Sequence, residues 1–161
     1  MLLAHSDMLA VGPRRARCWE GVRDTATACA VSEQNVEIVE ALVAASQRGD
    51  WEAALEKYDP AVELDMRLMP GGDLTVGREA VRSFFTHWFG TWDRLEIKPE
   101  RFIDAGENIV AVLRIAGVGK GSRIETSMRT ADVMTVRNGK VVRHVGYPRA
   151  EEALVALELN D

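Results

Sequence analysis

The stretch from Ser122 to Pro148 constrains the fold more than any other part of the chain. Apolar and polar residues alternate there with a period of two, on either side of an Asn138-Gly139 turn. Successive side chains of a strand point to opposite faces, so this period predicts a β-hairpin with one buried face. On its first strand that face carries Ile124, Thr126, Met128, Thr130, Asp132, Met134 and Val136. Asp132 is the exception, because a buried carboxylate costs free energy unless it is paired or protonated. Asp132 is therefore the first candidate for function.

The length of 161 residues is enough for one domain with its own core. Hydrophobic residues make up 47% of the chain and charged residues 28%, which is typical of a globular domain and argues against disorder. Residues 1–31 have no sustained period, so we expect a loosely attached arm there, helical in part between residues 16 and 30. The domain is predicted to occupy residues 32–161.

Charge and residue pattern limit the partners. A formal net charge of −5 argues against a nucleic-acid surface and favours a small hydrophobic molecule. No run approaches the roughly 20 apolar residues of a membrane span. The start of the chain fails as a signal peptide, because His5 and Asp7 interrupt its apolar region. Cys18 and Cys29 lack CxxC spacing and a nearby His, so we expect reduced thiols and a cytoplasmic protein.

Three segments with a helical period precede the long strands: residues 32–49, 51–58 and 77–89. Ser32 is the expected N-cap of the first segment. The second should stop at Asp59-Pro60, since the residue before a proline avoids the helical conformation. A short strand is expected over residues 62–67.

From Trp92 onward the helical period gives way to strands, over residues 94–103 and 108–117 and then the hairpin. Residues 151–159 form a closing helix. Helices followed by strands predict the α+β class, with three N-terminal helices packed on a curved, mixed but mostly antiparallel sheet and a short C-terminal helix.

The strand over residues 108–117 is apolar on both faces, since Ile109 and Ala111 alternate with Val110 and Val112. A strand apolar on both faces is covered on both. Helices can cover one face, and we expect a second subunit to cover the other. The sequence therefore predicts a homodimer through the outer face of the sheet.

Four separated segments resemble one family, in the order that the family has them. They are RGDWEAALEKYDPAVELDM (48–66), GREAVRSFF (77–85), IDAGENIVAVLRIAGVGKG (103–121) and TADVMTVRNGKVVRHVGYPRAEEAL (130–154). They look like the NTF2-like superfamily, and within it the SnoaL-like group, which includes polyketide cyclases and is related to ketosteroid isomerase. The resemblance spans residues 32–159 and implies an NTF2-like (cystatin-like) cone.

The resemblance also implies site residues. In ketosteroid isomerase an aspartate base moves a proton, while a tyrosine and a protonated aspartic acid hold the enolate oxygen. The base matches Asp65 here and the protonated acid matches Asp132. Leu42 stands at the position of the tyrosine, which argues against steroid isomerisation. Many SnoaL-like proteins have an aspartate at the position of Arg149, and its absence argues against a cyclase.

The position of His144 depends on the hairpin register. In a two-residue type I′ turn at Asn138-Gly139, Asp132 faces Val145 and His144 points to the outer surface, so that Tyr147 and Arg143 enter the site in its place. In a type I turn with a bulge at Gly139, His144 stands opposite Asp132 on the inner face. We favour the second register, because the first places Arg137 beside Lys140. The pair of Asp132 and His144 would then do acid/base chemistry.

The predicted walls of the pocket are apolar and aromatic: Tyr58, Met66, Phe85, Trp88, Met128 and Met134. No His, Asp or Glu cluster has metal-ligand spacing, and no cofactor is expected. The hypothesis is a small-molecule pocket protein with Asp65, Asp132 and His144 as catalytic residues. Its chemistry would be isomerisation, cyclisation, dehydration or hydrolysis of a hydrophobic or aromatic substrate. The alternative is a non-catalytic ligand-binding or dimerising module.

Overall fold

The computed structural model describes residues 25–159, and its elements follow the predicted order. Residues 1–24 of the predicted arm lie outside the described residues, whereas residues 25–31 belong to the first helix. The helices are α1 (Thr25–Gln47), α2 (Trp51–Glu56), α3 (Arg78–Gly90) and α4 (Ala150–Ala156). The strands are β1 (Tyr58–Asp65), β2 (Leu74–Val76), β3 (Trp92–Ala105), β4 (Asn108–Gly119), β5 (Glu125–Arg137) and β6 (Lys140–Tyr147).

The six strands form one sheet in the order β2-β1-β6-β5-β4-β3. The pair β1–β6 is parallel, and every other neighbouring pair is antiparallel. Register shifts interrupt β1, β3 and the β5–β6 pair, and an extra residue of this kind bends a strand. The mixed sheet with four helices confirms the predicted α+β class.

Helices cover both faces of the sheet. Helices α1, α2 and α3 contact the face that we call the inner face, where α1 lies against β3 and β4 and α3 against β1. That side holds the main core, with Val39 of α1, Leu55 of α2 and Val81 of α3 packed around Ile109 and Met134. Helix α4 lies on the opposite, outer face against β4, β5 and β6.

The N-cap predicted at Ser32 is wrong, because α1 begins at Thr25. The stretch from Thr25 to Ala30 contains three alanines, which favour helix more than any other residue. Ser32 therefore lies inside the helix, and its hydroxyl donates to the Asp104 carboxylate of β3.

The second helix is shorter than predicted. It ends at Glu56, and Tyr58 is the first residue of β1, paired with Val141 of β6. Pro60 lies between Tyr58 and Glu63, where the pairing with β6 shifts. A proline is tolerated in a strand at a bulge of this kind. Tyr58 is thus held by the sheet and not by a helix. The strand β2 was not predicted.

The apolar part of the outer face is covered within the chain. Val110 and Val112 of β4 pack with Ala131 and Val133 of β5 against Ala150 and Ala153 of α4. A second subunit is therefore not needed to cover this strip, because α4 covers it.

Candidate functional site

The hairpin between β5 and β6 has a turn and a register shift that the sequence did not predict, and together they determine the position of His144. Asn138 and Gly139 have φ angles of 50° and 74°, as a two-residue type I′ turn requires. Arg137 accordingly pairs with Lys140. The sequence favours the other register because it avoids this pairing of like charges. Beyond Val136 the register shifts by one residue, so His144 pairs with Met134.

The preferred turn is therefore wrong, and His144 stands opposite Met134 and not opposite Asp132, which pairs with Gly146. The predicted placement of His144 on the inner face is confirmed. Residues paired across a sheet share a face, so His144 and Met134 lie together on the inner face. Asp132 lies on that face too, two residues before Met134. The like charges beside the turn have other partners, since Arg137 pairs with Glu107 and Lys140 donates to the Glu56 carbonyl.

Tyr58, His144 and Asp132 form a polar array on the inner face. The Tyr58 hydroxyl lies 2.8 Å from His144 Nδ1. His144 Nε2 lies 3.4 Å from Asp132 Oδ2 but makes no well-aligned hydrogen bond to any residue that the structure describes. The Tyr58 and His144 side chains are almost completely buried, whereas the Asp132 side chain is 22% exposed. Of the three, the carboxylate is therefore the group that a ligand can reach most easily.

The partners of the imidazole indicate where its proton lies. Burial, together with the nearby Asp132 charge, raises the pKa of Tyr58 well above its usual value. Tyr58 therefore keeps its O–H and can donate it to Nδ1. The neutral tautomer that fits both neighbours has its proton on Nε2, facing the Asp132 carboxylate.

Apolar side chains surround the array. The Tyr58 ring stacks on the His144 ring with centroids 6.0 Å apart, and the Phe85 ring of α3 lies 6.0 Å from His144. Gly146 stands opposite Asp132 on β6. A Cβ on Gly146 would lie 2.4 Å from Met66 Sδ, so the Met66 side chain covers this glycine.

Asp65 is not brought to the array. It pairs with Val145 of β6, whereas its neighbour Leu64 pairs with His144, so Asp65 points to the outer face. Arg67 donates to both Asp65 carboxylate oxygens at 2.9 and 2.8 Å, and Arg143 Nη2 lies 3.3 Å away. The hydrogen bonds from Arg67, with the charge of Arg143, lower the pKa of Asp65 to about 2. This placement does not support a catalytic role for Asp65.

The predicted wall residues lie in one apolar cluster. Met134 and Met66 are buried in the main core, whereas Phe85, Trp88 and Met128 are partly buried against it. The Trp88 ring contacts the rings of Phe89 and Trp92. An open groove of about 770 Å³ lies elsewhere, around Leu95, Gly117 and Thr126, and none of its lining residues is a predicted site residue.

Two residues of the inner face were missed or underestimated by sequence reasoning. Tyr58 was expected as a wall, but its hydroxyl binds His144; this contact depends on the parallel β1–β6 pairing, which no local pattern reveals. Thr130 was placed on the buried face without a role. It is 2% exposed, and its hydroxyl has no hydrogen-bond partner within residues 25–159.

Residues 25–159 contain neither a metal-binding cluster nor a membrane-spanning helix. No group of three or more His, Cys, Asp or Glu side chains there is arranged to hold a metal ion. No helix in this part of the chain is long and apolar enough to cross a membrane.

Comparison with known proteins gives a family and a fold. A family model described as a SnoaL-like domain matches residues 39–144, which is more than half of the chain. No curated protein matches the chain.

Several solved structures share the fold. A candidate SnoaL-like polyketide cyclase from Jannaschia sp. CCS1 is 21% identical, with a TM-score of 0.65 over 80% of this chain and 94% of the other. TerC co-crystallised with polyporic acid is 20% identical, with a TM-score of 0.63 over 78% and 98% of the two chains. A protein from Catenulispora acidiphila DSM 44928 with a ketosteroid isomerase-like fold, in complex with trimethylamine, is 17% identical, with a TM-score of 0.63 over 77% and 94%. Identities this low establish the fold and not the reaction.

Proposed function

The chain belongs to the SnoaL-like family, and from this premise we propose that it is a cofactor-free proton-transfer enzyme with Asp132 and His144 as its catalytic residues. The substrate is a hydrophobic or aromatic molecule with a carbonyl group. Tyr58 positions the imidazole of His144, and Asp65 has a structural role on the outer face.

One observation carries this proposal: a buried imidazole is held between a phenol and a carboxylate. The 2.8 Å contact to Tyr58 fixes one ring nitrogen, and the other nitrogen lies 3.4 Å from Asp132. An imidazole held from one side presents its second nitrogen in a fixed direction, which is what a general acid or a hydrogen-bond donor needs.

The roles follow from accessibility and charge. Asp132 is partly exposed and can accept a proton from the carbon next to the substrate carbonyl. The electron pair of that C–H bond forms a C=C bond, the π electrons of the carbonyl move to its oxygen, and the developing negative charge is held by the Nε2–H of His144. Return of the proton to another carbon gives isomerisation. Attack of the enolate carbon on a second carbonyl within the same molecule, with transfer of the proton from Asp132 to the new alkoxide, gives cyclisation.

The surroundings favour an apolar substrate. Phe85 lies beside the His144 ring and Met66 covers Gly146 opposite Asp132, whereas the arginines that bind Asp65 are on the other face. A low-dielectric site strengthens the hydrogen bond to an enolate oxygen. The similar TerC structure was obtained with polyporic acid, and we take an aromatic, oxygen-bearing molecule as the ligand class for this chain as well.

The proposal is tested without knowledge of the natural substrate. The protein is incubated in D₂O with aromatic ketones such as 1-tetralone, and deuterium incorporation next to the carbonyl is followed by NMR. Asp132→Asn should lower the exchange rate by at least about 100-fold, the usual contribution of a general base. Binding of the ketone, measured by calorimetry, should be retained.

Glu63→Gln is the matched control, because it removes a carboxylate from the outer face of β1 and should leave exchange unchanged. Equal exchange by wild type and Asp132→Asn would remove Asp132 from the mechanism. Binding of aromatic ketones without any wild-type exchange would favour the alternative, a ligand-binding module that does no chemistry.

A further inference from the structure

The hydroxyl of Thr130 is a buried polar group that neither the fold nor the proposed proton transfer uses. Thr130 lies on the inner face of β5, two residues before Asp132, and pairs with Leu113 of β4. It is 2% exposed, and its Oγ1 has no hydrogen-bond partner among the described residues. Burying a hydroxyl without a partner costs free energy.

Packing alone does not explain a threonine at this position. A valine has nearly the same shape and would fill the same space without leaving a hydroxyl unpaired. The two neighbours of Thr130 on its own face are Met128 and Asp132, and the next residue on that face is Met134. Thr130 and Asp132 are thus flanked by Met128 and Met134 along the strand. Methionine side chains are flexible and can move aside for a ligand.

The spacing of Thr130 and Asp132 suits a ligand with two oxygens. Residues two apart on a strand are separated by about 6.7 Å on the same face. This is comparable to the distance between two oxygen substituents of a bicyclic aromatic ketone. A threonine hydroxyl can donate to one oxygen or accept from another.

We propose that Thr130 is a substrate-binding residue that hydrogen-bonds a second oxygen of the substrate, while the first oxygen lies at the Nε2–H of His144, beside Asp132. This inference rests on the proposed function, because it takes the carbonyl end of the substrate to be bound there. It narrows the substrate class to aromatic ketones with a further hydroxyl or carbonyl group.

The free protein gives the first test. Thr130→Val removes only the unpaired hydroxyl, so its thermal midpoint should equal or exceed that of the wild type. Thr130→Ser keeps the hydroxyl and serves as the matched control for binding. A clear drop in the midpoint of Thr130→Val would mean that the hydroxyl supports the fold, and would overturn the proposal.

The second test measures binding of 1-tetralone and of its 5-, 6- and 7-hydroxy derivatives, which place a second oxygen at different distances from the carbonyl. At least one hydroxylated compound should bind wild type more tightly than 1-tetralone. Thr130→Val should weaken that compound by about tenfold and leave 1-tetralone unchanged. Thr130→Ser should retain most of the gain.

The outcomes separate this inference from the proposed function. An unchanged preference for the hydroxylated compound in Thr130→Val would overturn the role of Thr130, even if Asp132→Asn abolishes exchange. Unchanged exchange in Asp132→Asn would overturn the proposed function, even if Thr130→Val loses the preference. Failure of all four compounds to bind the wild type would overturn the two-oxygen aromatic class itself.

Discussion

At the scale of single residues, the feature that needs explanation is a phenol, an imidazole and a carboxylate gathered on an otherwise apolar sheet face. Tyr58 and His144 are almost completely buried, so the Tyr58 hydroxyl and His144 Nδ1 depend on each other for a hydrogen-bond partner. The Tyr58 hydroxyl gives His144 Nδ1 its only nearby partner among the described hydrogen bonds. The buried Tyr58 therefore fixes the orientation of His144, and Asp132 forms the partly exposed end of the array.

Tyr58→Phe tests this positioning role. The change leaves Nδ1 without its donor, so the imidazole loses its fixed tautomer and orientation. We expect a loss of about 1 kcal/mol in the free energy of unfolding and an exchange rate about tenfold lower, with little change in ketone binding. The measurement is ketone exchange in D₂O together with the ¹⁵N chemical shifts of the His144 ring.

The control is Tyr147→Phe, which removes a hydroxyl from the half-buried tyrosine on the α4 side of the sheet. It should alter neither the His144 shifts nor the exchange rate. If Tyr58→Phe leaves the ¹⁵N shifts of His144 unchanged, Tyr58 does not set the tautomer.

At the scale of elements, strand β1 contributes a functional or stabilising side chain to each face of the sheet. Tyr58 at its beginning reaches the inner face, whereas Asp65 at its end binds Arg67 and Arg143 on the outer face. The register shift between Tyr58 and Glu63 separates these two parts of the strand. Asp65 therefore stabilises the end of β1 and its junction with β6.

Asp65→Asn should destabilise the fold without affecting the chemistry. The folded-state pKa of Asp65 is about 2, below the usual 3.8, so its stabilisation is fully present above about pH 4 and is lost as pH falls towards 2. We expect a loss of about 1–2 kcal/mol at pH 7, since the exposed Arg67 is partly screened by solvent. Urea unfolding from pH 7 down to pH 2 measures the difference, which should shrink as the pH falls.

Glu63→Gln again gives the comparison, because Glu63 is more than half exposed and lies 3.8 Å from Arg143. Its effect on stability should stay below about 0.5 kcal/mol. A difference between wild type and Asp65→Asn that does not depend on pH would contradict the ionic origin of the stabilisation.

The sequence predicts these elements unequally well, for physical reasons. The shared face of Asp132, Met134 and their neighbours follows from a local period of two and could be predicted. The face of Asp65 was also within reach, because Val62, Leu64 and Met66 alternate and place Asp65 on the other side. The contact between Tyr58 and His144 was not, since it needs a parallel pairing of strands 86 residues apart. A local pattern also does not show the extra residue of β6, which places His144 on the inner face after a type I′ turn.

At the scale of the whole molecule, α4 changes the argument for dimerisation. It covers the apolar strip of the outer face, while charged residues lie beside it: Glu100 binds Arg114 and Arg129, and Arg129 binds Glu151. The homodimer through the outer face stays a prediction, and any such interface would use the part of the face beyond α4. The cytoplasmic location also stays a prediction.

Sedimentation equilibrium tests the dimer. We expect twice the monomer mass for wild type and the mass of a single chain for Ala116→Arg, which places a charge on the outer face of β4. Leu68→Arg is the control, because Leu68 is 54% exposed in the segment before β2, and it should keep the wild-type mass. A monomeric wild type at micromolar concentration would show that α4 alone completes the outer face.

The measurement that tests the central claim most directly is the rate of ketone deuteration by His144→Gln, with the ketone that the wild type exchanges fastest. Glutamine can still hydrogen-bond Tyr58 but has no ring N–H at the position of Nε2 to stabilise the enolate oxygen. The account predicts a rate at least about 100-fold below that of the wild type, with ketone affinity within a few-fold. A rate within a factor of about two of wild type would contradict it, because the Nε2–H of His144 would then not stabilise the enolate oxygen.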